Sequence, residues 1–151
     1  MLEKYFKNAS EKFAKPFVLV LAKFQIKPNT VSILGLFIVL LGSYFFYVDN
    51  KFLGIILIFL GSAVDGLDGP YARHQNLVSE RGAVLDSFID RLGELFIWSV
   101  VAIGYTSNDI ELFIVLSILV ASNLIPYIRA KSERYGITNK AGITARPERV
   151  I

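Results

Sequence analysis

The chain has 151 residues, 54% of them hydrophobic and 19% charged, with a formal net charge of +3, one histidine and no cysteine. Apolar runs too long for a small soluble core exclude a small soluble domain and make a bilayer the expected solvent. The missing cysteine excludes disulfides, thiolate metal sites and a thiol nucleophile; the lone His74 sets aside His-rich zinc chemistry, and no nucleic-acid partner is expected.

At the N-terminus, Glu3, Lys4 and Lys7 stand among aromatics, where a signal peptide would have a basic stretch, an apolar core and a small-residue cleavage site. Lys4, Lys7, Lys12 and Lys15 alternate with Leu2, Phe6, Phe13, Phe17 and Leu21, a pattern suited to an interfacial amphipathic helix. Residues 1–28 are therefore read as a juxtamembrane segment, which Pro16 is expected to break or kink. The same residues also suit a plain flanking segment that only orients the chain.

Thr30 to Val48 gives about 19 mostly apolar positions, enough for one membrane crossing at about 1.5 Å per residue. A second apolar run covers Phe52 to Val64, a third Ala83 to Tyr105 and a fourth Ile110 to Ile128. The expectation is an all-α, polytopic membrane bundle with four transmembrane helices. Of the 16 Lys and Arg residues, six precede the first span, Arg73, Arg81 and Arg91 lie in or beside the link between the second and third, and six follow the fourth. Lys51 alone falls on the other side. The positive-inside bias then puts both termini and the link around Arg73 in the cytoplasm, as expected of a multi-pass protein of the cytoplasmic membrane.

Four aspartates interrupt the apolar runs: Asp65 and Asp68, three apart, and Asp86 and Asp90, four apart. Each pair shares a helix face. An ionised carboxylate at the membrane centre costs on the order of 3 kcal/mol unless compensated, which makes such residues functional by default. Two acidic faces that meet would bind divalent cations, and oxygen-only ligands favour Mg²⁺ or Mn²⁺ over zinc. Phe52 to Asp65 and Asp90 to Tyr105 span about 20 and 22 Å of helix, so the two pairs lie at similar depth, in the cytoplasmic third of a core about 30 Å thick. Glu94 continues the face of Asp86 and Asp90, either behind the metal ligands or as a partner for Arg91. His74 reads as an interfacial side chain. Pro70, following Gly69, lacks an N–H for the carbonyl of Gly66 and is expected to kink the helix.

From Asp65 to Asp90 the chain reads DGLDGPYARHQNLVSERGAVLDSFID. This resembles the CDP-alcohol phosphotransferase signature, with Asp65, Asp68, Gly69, Ala72, Arg73, Gly82, Asp86 and Asp90 in its eight fixed positions; PNTVS at Pro28 to Ser32 is similar to the segment before the family's first span. The resemblance covers essentially the whole chain. It implies residues 29–151 as the family's membrane domain, six transmembrane helices in a complete member, and a chain that stops before the last two.

The resemblance further implies an enzyme of phospholipid biosynthesis that transfers the phosphoryl-alcohol unit of a CDP-linked lipid to an acceptor hydroxyl and releases CMP. It implies one or two Mg²⁺ or Mn²⁺ ions on Asp65, Asp68 and Asp86, with Asp90 as general base that also touches a second ion. Asn29, Ser32, Asp68, Gly69, Ala72, Arg73, Ser79 and Gly82 are implied CDP-lipid contacts, and a homodimer is implied as the assembly. YIRAKSE and RPERVI resemble the branch that makes phosphatidylinositol phosphate or its archaeal ether-lipid counterpart. Arg129, Lys131, Arg146 and Arg149 fall where that branch holds the phosphate of inositol phosphate, although Ala145 stands where bacterial members commonly carry an acidic residue. Glycerol phosphate is the alternative polyol phosphate. A membrane prenyltransferase also uses paired aspartates with Mg²⁺, and an ion transporter also buries carboxylates, but neither explains the spacing of Gly69, Ala72, Arg73 and Gly82.

Overall fold

The computed structural model describes residues 14–24 and 26–136, which are helical apart from short links, with no strand among them. Residues 14–23 form α1; α2 is Pro28–Tyr47, α3 Lys51–Asp65, α4 Asp68–His74 and α5 Glu80–Tyr105, and these make one compact unit. A second unit contains α6, Asp109–Arg134. Pro16 is the third described residue of α1; the stretch before Ala14, on which the expected interfacial helix and its break or kink at Pro16 bear, lies outside the described residues.

Local chemistry sets the boundaries. Pro28 opens α2, where its missing N–H would lack a partner in any case. Asp49, at φ 66°, makes the reversal between α2 and α3, a left-handed conformation that aspartate tolerates better than most residues. Ser79 caps α5 by accepting the Gly82 N–H at 3.0 Å. Asn108 caps α6 by accepting from Ile110 and Glu111 at 3.1 and 3.0 Å. The expected kink at Pro70 takes the form of a helix break at Gly66–Leu67, so that Pro70 becomes the third residue of α4. There its lost N–H is one of the four that start any helix without an intrahelical partner.

α2 and α3 pack through glycines spaced seven apart on each helix, Gly35 and Gly42 against Gly61 and Gly54. A Cβ at Gly61 would sit 2.7 Å from the Gly35 carbonyl oxygen, and one at Gly42 would sit 2.9 Å from the Gly54 carbonyl oxygen. The backbones themselves are in contact, as small residues allow between membrane helices. α4 is anchored by Tyr71, 1% exposed, which packs with Ala14, Val18 and Val31 and donates its hydroxyl to the Leu21 carbonyl at 3.3 Å. At the far end of this unit Tyr105 donates to the Phe46 carbonyl at 2.8 Å, fixing the end of α5 against α2.

Three segments among the described residues are long and apolar enough to cross a membrane, not the four expected: Pro28–Tyr47, Lys51–His74 and Asp109–Arg134. The exception is α5. It has 26 residues, but Glu80 to Glu94 carries Glu80, Arg81, Asp86, Asp90, Arg91 and Glu94 among its apolar positions, and each such charge offsets the transfer energy of several apolar neighbours. Phe37, Phe52, Phe59, Ile103 and Phe113 all point outward from their units. A surface so rich in large apolar side chains is suited to lipid, and the chain is an integral membrane protein.

Candidate metal centre

α3 ends at Asp65 and α4 begins at Asp68, while α5 brings Asp86 and Asp90 across from them. Asp65, Asp68 and Asp86 each offer a carboxylate oxygen, and these oxygens lie within 4.8 Å of one another. Asp90 is outside that trio, with its carboxyl within hydrogen-bonding reach of Asp65; Asp86 has the same relation to Asp68. Gly66 and Leu67, both in right-handed helical conformation, separate the end of α3 at Asp65 from the start of α4 at Asp68.

Carboxylates this close repel by roughly 4 kcal/mol per pair at an effective dielectric of about 20, so the cluster requires a compensating charge. The Asp65 Oδ1 atom is buried with no hydrogen-bond donor, a lone-pair site that a cation would fill. An all-carboxylate oxygen set fits Mg²⁺ or Mn²⁺, so the residues present fit the divalent ion that the sequence implies.

α2 lies against this cluster. Ser32, 2% exposed, donates its hydroxyl to Asp68 Oδ2. A Cβ at Gly35, one turn further on, would stand 2.9 Å from both the backbone N and the Cβ of Asp65. Asn29 faces Gly82, where a Cβ would lie 3.6 Å from Asn29 Oδ1, and Ser79 is beside the same glycine. The α4 residues Gly69, Ala72 and Arg73 continue from Asp68, with Arg73 Nη1 placed 3.5 Å from a Cβ built at Gly69. His74 is exposed at the end of α4. Glu94 is resolved as the partner of Arg91, at 2.7 Å. The pair borders a cavity of about 300 Å³ between α2, α3 and α5, which Asp65 and Asp90 line from the acidic side and Leu36 and Ile97 from the apolar side.

The basic residues expected to hold an acceptor phosphate divide. Arg129 and Lys131 are both exposed, two residues apart on α6. Lys131 Nζ lies 3.4 Å from the Tyr127 hydroxyl. Arg146 and Arg149 lie outside the described residues.

The sequence reading missed the packing of α2 against the aspartates. Its signal was present: Ser32 and Gly35 have the same three-residue spacing as Asp65 and Asp68, and the heptad-spaced glycines mark the face on which α2 and α3 meet.

The fold and site together define a membrane-embedded helical protein with a divalent-metal centre. Residues 25–150 match the family model described as CDP-alcohol phosphatidyltransferase. The chain belongs to that family, transferases of phospholipid synthesis that work with Mg²⁺ or Mn²⁺. It is 38% identical over 132 residues to archaetidylinositol phosphate synthase of Pyrococcus horikoshii, covering 87% of this chain and 69% of that protein. It is 30% identical over 156 residues to phosphatidylinositol phosphate synthase of Streptomyces avermitilis, covering 100% and 64%. The crystal structure of the Mycobacterium tuberculosis phosphatidylinositol phosphate synthase with CDP-DAG bound superposes with a TM-score of 0.75 at 28% identity, over 91% of this chain and 71% of that one. The same mycobacterial protein in complex with manganese and citrate gives a TM-score of 0.75 at 28% identity, over 89% and 66%.

Proposed function

We propose that this chain transfers the phosphatidyl-type unit of a CDP-linked lipid to a hydroxyl of a polyol phosphate, with inositol phosphate as the acceptor. The observation that carries the reading is the convergence of Asp65, Asp68 and Asp86, with carboxylate oxygens within 4.8 Å, beside an Asp90 that stays outside the trio. The trio holds the ion; Asp90 remains as the base. In the reaction the acceptor oxygen forms a bond to the lipid-bearing phosphorus, the bond from that phosphorus to CMP breaks, and the acceptor's proton passes to the Asp90 carboxylate. The bound ion supplies Lewis-acid polarisation of the diphosphate and neutralises the departing CMP.

Gly82, flanked by Asn29 and Ser79, offers backbone that a nucleotide can approach closely, and Arg73 supplies a guanidinium for phosphate oxygens. Residues 29–151 act as the catalytic membrane domain with the acidic cluster on the cytoplasmic side, a reading supported by the distribution of Lys and Arg. Inositol phosphate is favoured by the names of the relatives and by the basic set Arg129, Lys131, Arg146 and Arg149.

The test offers the purified protein a CDP-linked lipid with Mn²⁺ and, in turn, inositol phosphate, glycerol phosphate, free inositol and serine, identifying products by mass and following CMP. Product with inositol phosphate alone supports the reading. Turnover with serine or free inositol and not with either phosphate would refute the acceptor class, and prenyl transfer or ion flux without CMP release would refute the reaction.

A further inference from the structure

We infer that Ser32 is a positioning residue for the metal centre: its hydroxyl fixes one oxygen of Asp68 so that the other is aimed at the cation shared with Asp65 and Asp86. The inference rests on the metal-binding reading above and goes beyond it by assigning the ligand's orientation to a different helix.

A serine in a helix has a ready partner in the carbonyl four residues back. Ser43, Ser62, Ser87 and Ser117 all take it, donating at 2.7–2.9 Å to Val39, Ile58, Ala83 and Phe113. Ser32 does not. Its oxygen stands 3.4 Å from the Pro28 carbonyl, and its proton goes across to Asp68 Oδ2, 36 residues away in sequence. A hydroxyl has a single proton, so donating to Asp68 forgoes the local bond. The bond to a carboxylate is charge-assisted and therefore stronger than the neutral bond it replaces. The frame that carries it is rigid, because one turn further on Gly35 lies against the backbone of Asp65. α2 thus touches both acidic positions at the spacing that they themselves have.

In the first turn of α4 the Asp68 carboxylate turns about its side-chain torsions unless a donor holds it, and the neighbouring Asp86 is another carboxylate. Outer partners that hold a ligand's orientation are typically worth about 10–100-fold in metal affinity. They act on binding of the metal and leave the reacting atoms untouched.

The experiment titrates Mn²⁺ into the 151-residue chain in detergent, reading free Mn²⁺ by electron paramagnetic resonance, for the wild type, Ser32→Ala, Ser32→Thr and Ser43→Ala. Ser43 is the matched control, since it is also 2% exposed and spends its hydroxyl within its own helix. The expected result is an affinity about 10–100-fold weaker for Ser32→Ala, near wild-type affinity for Ser43→Ala, and recovery in Ser32→Thr, which keeps the hydroxyl. With a CDP-linked lipid present, Ser32→Ala should regain most of its kcat at saturating Mn²⁺, so that the loss falls on the metal requirement. Wild-type binding with unchanged affinity in Ser32→Ala overturns the inference and leaves the metal site standing, as does an equal loss in both serine variants. A wild-type chain with no affinity for Mn²⁺ overturns the metal site and the inference together.

Discussion

Replacing Gly35 by alanine tests whether the contact between α2 and α3 is what shapes the acidic cluster. The new Cβ would stand 2.9 Å from the Asp65 backbone nitrogen, the Asp65 Cβ and the Gly61 carbonyl oxygen, short of ordinary contact by about 0.5 Å. Two of these atoms are backbone, which cannot swing aside as a side chain can, so the helices must separate. Overpacking of this kind costs typically 1–3 kcal/mol, and the backbone contact puts it near the upper end at about 3. Alanine gains about 1 kcal/mol over glycine in helix propensity, leaving a net loss of about 2 kcal/mol. Because the displaced atoms include Asp65 itself, Mn²⁺ affinity should fall as well, since ligand sets tolerate displacements of only about 0.5 Å. The control is Gly104→Ala, where the nearest atom, Tyr47 Cδ2, is at 3.7 Å and the propensity gain is unopposed. Unfolding of both variants by denaturant in detergent micelles gives the difference, with Mn²⁺ titration alongside. If Gly35→Ala proved as stable as Gly104→Ala and bound Mn²⁺ as the wild type does, the claim that backbone contact positions Asp65 would be refuted.

Asp90→Asn should lower turnover by about 10²–10⁴-fold, the usual contribution of a general base, while Mn²⁺ binding persists; Asp68→Asn should lose Mn²⁺ binding, and near-normal turnover in Asp90→Asn would reverse the assignment. Ser79→Ala should destabilise the chain by about 1 kcal/mol through loss of the α5 cap, and Ser79→Asp, which also accepts from the helix start, should restore it in the same unfolding measurement. Single cysteines at Asn50 and Ser107 should react with a membrane-impermeant reagent from outside the cell and one at Gln75 should not; the native chain has no cysteine to give a background. The opposite labelling pattern would place the acidic cluster on the wrong side for a cytoplasmic substrate.

The sequence alone determined the helical class, the membrane as solvent and the identity of the acidic cluster. Each follows from short-range quantities: the length of an apolar run, the three- and four-residue spacing of carboxylates, and the high cost of a charge in lipid, which leaves few reasons for Asp65, Asp68, Asp86 and Asp90 to be where they are. The spacing of Gly69, Ala72, Arg73 and Gly82 added the family. Counting spans from apolar runs failed at α5, because a run flanked and interrupted by charges still looks like a span when its length alone is weighed. Pro70 was legible as a disturbance, but its form was not: whether a helix bends or breaks depends on what the neighbouring backbone packs against, and here Tyr71 ties the new helix to α1 and α2.

Tertiary structure decided the rest of the site. Helix periodicity shows which residues share a face, but it cannot show which two faces meet or in what register. That register is set by glycines on α2 and α3 whose backbones touch, and it places Ser32 on Asp68, 36 positions away, and Gly35 on Asp65. It also gathers Asp65, Asp68 and Asp86 into one group with Asp90 outside it, an arrangement that the three- and four-residue spacings do not reveal because it depends on how the helices meet and not on the order of residues along either one.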